Sequence, residues 1–162
     1  MSYLVRKVNK AKWFQIDILK DDDVSADALT NCLKTTNNTL SVWRIDNEAD
    51  LDSAILAIVA NQDHLDTIDI VILEESSLEG YNINIVASPG ETPVASLISA
   101  HRDLSQLTFS KIHDIKNHIV ERIRNDKLKR YTVASLKKIL NSAIERGLVK
   151  QEDLKESLRK KI

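Results

Sequence analysis

Short alternating segments before Thr108 and unbroken helical periodicity after it predict an α+β fold. A small mixed sheet of about five strands is expected, flanked by helices and followed by a C-terminal three-helix segment. A third observation sets the boundary. Residues 1–110 carry 8 Lys and Arg against 17 Asp and Glu, a net of −9; residues 111–162 carry 15 against 7, a net of +8. The whole-chain charge of −1 hides this split. It predicts an acidic α/β core domain over 1–108 and a basic helical subdomain over 109–162.

The elements follow in order. Tyr3 to Val8 alternates as a strand, and Trp13 to Leu19 repeats the pattern, with Asn9 to Lys12 as a hairpin turn between them. Asp21-Asp22-Asp23 breaks the chain. Ser25 then has the character of an N-cap, with Val24 and Leu29 placed as a hydrophobic staple around a short helix carrying Ala28, Leu29, Cys32 and Leu33 on one face. Thr35 to Thr39 is a polar turn and Leu40 to Ile45 a strand. Leu51, Ala54, Ile55, Ile58 and Val59 recur at helical spacing. Ile68 to Leu73 is apolar and β-branched, which predicts a strand covered on both faces. The run 40–45, 47–60, 68–73 therefore reads as a strand–helix–strand crossover with parallel strands.

Glu74 to Gly80 turns the chain into a strand around Ile83, Ile85 and Ala87, expected to form a hairpin with 68–73. Thr92-Pro93 opens a predicted helix over 93–106 with the stripe Val94, Leu97, Ile98, His101 and Leu104. Phe109, Ile112, Ile115, Ile119 and Ile123 line the next helix. Lys127 to Tyr131 is a basic linker, Thr132 caps the following helix, and Gly147 stands where a left-handed residue ends it, with Leu148 as its apolar partner. A last short helix carries Leu154, Leu158 and Ile162.

Composition narrows the function classes. The 43 % apolar and 29 % charged residues suit a folded chain that buries a core, built mainly from Ile, Leu, Val and Ala because aromatics are few. Three glycines leave no Gly-rich phosphate loop. One cysteine, Cys32, excludes an internal disulfide and a thiolate metal cluster. No apolar run has signal-peptide or membrane-span length, so a cytoplasmic, soluble protein without membrane contact is expected.

No motif carries a chemistry. His101-Arg102-Asp103 spells a kinase catalytic-loop tripeptide, but the other kinase motifs are missing, and a polar stretch near a helix end is expected instead. His113 and His118 are five apart, too far round a helix to share a metal, and are read as solvent-facing. Cys32 lies in step with apolar neighbours, as a buried, inert thiol does. No cofactor and no metal site is predicted.

Charge therefore defines the candidate surfaces. Asp21, Asp22, Asp23, Asp46, Glu48, Asp50 and Asp52 form an acidic one, with Asp63, Asp66 and Asp69 as a further cluster. Lys127, Lys129, Arg130, Lys137, Lys138, Arg159, Lys160 and Lys161 form a basic one, suited to a partner, to phosphate, or to the chain's own acidic half. A helix-turn-helix over 132–146 and 151–161 is poorly supported, because Gln151, Glu152 and Asp153 would turn two acids toward phosphates.

The expectation is a non-enzymatic protein-interaction protein of the immunity, antitoxin or assembly-subunit kind, with a protein partner and homo-oligomerisation both open. A nucleic-acid-binding accessory role is the alternative. The third is an enzyme whose site is dispersed in sequence, with His64, His101, Asp69 and Glu74 as candidates.

Overall fold

The computed structural model describes residues 1–17 and 23–162. The fold is α+β. Six strands form one sheet: β1 Tyr3–Val8, β2 Leu40–Ile45, β3 Ile68–Glu74, β4 Asn84–Ala87, β5 His101–Ser105 and β6 Leu128–Tyr131, in the order β4-β5-β2-β1-β3-β6. The helices are α1 Lys10–Trp13, α2 Ala26–Cys32, α3 Leu51–Ala60, α4 Glu75–Gly80, α5 Phe109–Arg124, α6 Val133–Glu145 and α7 Glu156–Arg159.

All five strand pairings are antiparallel, so the sheet is not mixed. The crossover from β2 through α3 to β3 exists, and these two strands do run in the same direction. They are not neighbours, because β1 is inserted between them and pairs with both. With β6 on the other side of β3, no place remains there for β4. That strand pairs with β5 at the far edge, and the predicted hairpin with 68–73 does not form.

Alternation in the strands builds two cores. Leu4, Val8, Val42, Val71, Leu73 and Leu104 point to one face, where α2, α4 and α5 cover them. Val5, Ile45, Ile70 and Ile72 point to the other, beneath α3 and α6. β3 is buried on both faces from Ile68 to Leu73, as its β-branched run predicts. Each such side chain removed from water contributes about 1.5–3 kcal/mol.

Several local signals hold. The Ser25 side chain accepts from Ala28 N–H, Thr108 from Lys111 N–H and Thr132 from Ser135 N–H, so three helix starts are capped by hydroxyls. Gly147 is left-handed at φ 71°, and Leu148 N–H returns to Ala143 O at 2.9 Å, which closes α6. Asn37 and Asn38, at φ 52° and 59°, make the tight turn into β2, with Thr39 N–H donating to Thr36 O.

Other expectations give way to tertiary structure. The predicted hairpin turn over Asn9 to Lys12 is α1 instead: Asn9 caps it by accepting from Ala11 N–H, Trp13 at its end is fully buried, and residues 14–16 of the predicted strand over 13–19 are turn and bend. Its residues 18–19, with Asp21 and Asp22, lie outside the described residues. Residues 75–80 form α4 rather than a turn. The predicted helix over 93–106 is a 3-10 turn, Ala95–Ala100, followed by β5, because β2 and β4 supply ladder partners on both sides of 101–105. The basic linker 127–131 is β6, and the last helix shrinks to a 3-10 turn, Gln151–Asp153, and the four residues of α7.

The C-terminal third contributes to the sheet and to both cores. β6 extends the sheet, α5 closes one core and α6 the other.

Candidate functional site

An open groove of about 1090 Å³ runs over the sheet. It crosses from the β1 C-terminus and the β3 N-terminus, over Ser41 and Trp43 of β2, to the N-terminal half of β5 at His101 and Asp103. Register explains its floor. Trp43 lies opposite His101 and Ser41 opposite Asp103, and cross-strand partners share a face. Lys7, two residues beyond Val5, belongs to that face too, because Val5 is opposite Trp43. The end of α3 supplies one wall with Asn61 and Gln62, and the loop after β4 supplies another with Ser88, Pro89 and Glu91.

A hydrogen-bonded trio fixes the second wall. Ser88 Oγ lies 2.7 Å from Asp103 Oδ2 and 2.8 Å from His101 Nδ1, and Nδ1 lies 3.2 Å from Ser88 O. One hydroxyl proton cannot serve both neighbours. A carbonyl only accepts, so all three contacts are met when Nδ1–H donates to Ser88 and Oγ–H donates to Asp103. In that arrangement the Ser88 proton is spent on the carboxylate, so His101 does not activate Ser88 as a nucleophile. The His101 ring stands edge-on to Trp43, centroids 5.1 Å apart. Gly90 is required beside them: a Cβ there would fall 2.3 Å from the Trp43 ring and 2.8 Å from His101 Cβ.

The other end of the groove is held by charge. Arg6 donates from Nε and Nη2 to Cys32 O, the last carbonyl of α2, at 3.0 and 2.6 Å, and from Nη1 to Ser41 O. A cation on a helix C-terminus is favourable. Burial nevertheless pulls the Arg6 guanidinium down to about 10. Asp69 accepts two bonds from Arg130, at 2.8 and 3.0 Å, and a third from Lys10 N–H. Burial pushes the Asp69 carboxyl up, but the Arg130 hydrogen bond, the Lys10 N–H and the Arg130 charge outweigh it and hold it below the usual range.

Of the four dispersed enzyme candidates, His101 and Asp69 line the groove, and His64 and Glu74 do not. His64 is exposed, while Glu74 accepts from Arg122 and from Ser77. His101-Arg102-Asp103 opens β5, directly after the end of the 3-10 turn Ala95–Ala100. His113 is exposed, but His118 is fully buried, contrary to the solvent-facing expectation, with Nε2 accepting from Glu74 N–H. Cys32 is buried, and its sulfur accepts from Asn9 N–H. No three metal-binding side chains are grouped among the described residues.

Most of the charged candidates have partners within the chain, and two pairs join an acidic candidate to a basic one. Glu48 pairs with Lys127 and approaches Arg122; Asp69 pairs with Arg130, Asp63 with Lys155, and Asp23 with Lys116. Asp46 pairs with Arg44, Asp50 accepts from Asn47, and Asp52 accepts from Tyr131 Oη. On the basic side Lys129 pairs with Asp126 and Lys160 with Glu156, whereas Lys138, Arg159 and Lys161 are exposed and Lys137 is half-buried. α7 is one turn long, too short to lie along a major groove as a recognition helix.

Fold and site together define an α+β protein, with helices on both faces of an antiparallel sheet and a polar groove over the sheet. No known protein family, curated protein or solved structure matches the chain. Among the described residues no helix is long and apolar enough to cross a membrane.

Proposed function

We propose that this chain is a non-enzymatic interaction protein that receives an extended segment of a partner protein in the groove. The groove's lining carries the reading. Amides from Asn61 and Gln62 and the Ser41 hydroxyl match the alternating donors and acceptors of a peptide backbone, and Trp43 offers an aromatic surface. Lys7 on one side and Glu91 and Asp103 on the other suit a segment bearing both signs of charge. A small-molecule or cofactor pocket is typically more enclosed and more apolar. Such a module fits a small accessory chain of the immunity, antitoxin or assembly kind.

Ion pairing of Lys127, Lys129 and Arg130 with Glu48, Asp126 and Asp69 ranks the nucleic-acid reading second, since these cations already have partners. The test is site-specific photo-cross-linking in the native host. A cross-linker at Asn61 is expected to capture a protein that one at Lys138, exposed on α6, does not. Lys7→Glu is expected to abolish that capture. Equal capture at both positions, or capture indifferent to Lys7→Glu, sinks the proposal.

A further inference from the structure

The two edges of the sheet are built differently. The β6 edge is Leu128-Lys129-Arg130-Tyr131, preceded by Lys127, and two such strands side by side would confront like charges. Charge of this kind is how natural sheets block edge-to-edge pairing. The β4 edge has no such protection. From Tyr81 to Pro89 the chain holds no charged residue. Among the described residues no strand pairs with the outer side of β4.

Register says which groups are on offer. Ser88 N–H donates to His101 O, so Ser88 faces β5. Antiparallel alternation then turns the N–H and C=O of Ile85 and Ala87 outward. Val86, between them, is 41 % exposed, on the same face as Asp103 opposite it. At the Ala87 end of the strand the 3-10 turn presents Ile98, 36 % exposed, at a hollow of about 460 Å³ lined also by Ala87, Pro89 and Ala95. Unpaired backbone, no charge and an adjoining apolar patch are thus concentrated at one edge.

We propose that β4 pairs antiparallel with β4 of a second copy of this chain, about a two-fold axis at Val86. In that register Ile85 is opposite Ala87 of the second copy and the converse, and all four outward pairs of backbone groups are used. Val86 faces Val86 of the second copy as a close, non-hydrogen-bonded pair. The occupant is a second copy rather than a foreign peptide for two reasons. An uncharged strand can face itself without like-charge repulsion. A two-fold partner also sets a second Val86 against the first on the same face, covering a side chain that is 41 % exposed, which a lone extended strand of unrelated sequence need not do. The inference does not depend on what the groove binds.

Sedimentation of the full chain tests it. Ala87→Pro removes only an outward N–H, so the ladder with β5 stays intact and the monomer keeps its circular dichroism. The dimer is expected to weaken about tenfold or more, since each copy loses one bond. Val86→Lys is expected to give a monomer by placing two like charges together. Val86→Cys is expected to form an intermolecular disulfide much faster than Phe109→Cys, although Phe109 is the more exposed of the two, at 90 % against 41 %. A chain that stays monomeric to about 1 mM overturns the proposal. So does a dimer that tolerates both Ala87→Pro and Val86→Lys, or equal disulfide formation at 86 and 109.

Discussion

Glu48, on the turn before α3, receives two hydrogen bonds from Lys127 Nζ, at 2.7 and 2.8 Å, across 79 residues of chain. The acidic and basic parts of the sequence meet here, inside one molecule. Both side chains are about one-third exposed, so solvent screens the pair. A double-mutant cycle with Glu48→Gln and Lys127→Met is expected to give a coupling of about 0.5–1 kcal/mol, measured by urea unfolding and shrinking with added salt. A coupling near zero would show that the pair is incidental.

Arg122 is a different case. It is 5 % exposed, donates from Nε to Ile72 O and from Nη1 to Glu74 Oε1, both at 2.7 Å, and stands 4.0 Å from Glu48. Arg122→Met leaves the Ile72 carbonyl without its donor and the Glu74 carboxylate without its cation, held only by Ser77. The expected loss is about 3–5 kcal/mol in denaturant unfolding, several times that of Lys127→Met. Similar losses for the two variants would refute the ranking by burial.

These two cations also mark what the sequence could convey. Lys127 to Tyr131 is too short and too charged to read as a strand, because the acid that Arg130 pairs with is on β3, about 60 residues earlier. Val94, Leu97, Ile98, His101 and Leu104 satisfy a helical stripe, yet 101–105 becomes a strand since β2 and β4 offer hydrogen bonds that no local signal reports. Caps were legible because they are local: Ser25, Thr132 and Gly147 act on their own helix. The groove was not. Lys7, Trp43, Asn61, Ser88 and His101 come together only through strand order, and the register that joins Trp43 to His101 leaves no trace in either segment.

His118 gives a pH dependence of definite sign. It is fully buried, and its Nε2 accepts from Glu74 N–H, which requires the neutral ring. Burial lowers its pKa, with Glu121 only partly opposing. A depressed histidine pKa means that the unfolded chain binds the proton first. Stability is therefore full above the unfolded value of about 6.5 and falls as pH drops through the folded value. Thermal unfolding from pH 7.5 to 5 should decline in the wild type. The slope should flatten in His118→Gln, whose amide oxygen can accept the same N–H. An identical slope in both would assign the decline to other groups.

Gly90 and Trp43 provide the last test, which joins packing to the groove. The Gly90 N–H donates to Ile98 O at 3.0 Å, so the loop cannot move away from the indole without breaking that bond. A methyl at 90 would fall 2.3 Å from Trp43 and 2.8 Å from His101 Cβ. The ring must then shift, and Trp43 lines the groove. Gly90→Ala should destabilise the fold by about 1–3 kcal/mol and shift the tryptophan emission, because one of the two tryptophans, Trp13, is fully buried and should not respond. Cross-linking from Asn61 should fall with the emission change. Unchanged stability and emission would mean that the contact between Gly90 and Trp43 does not set the shape of the groove.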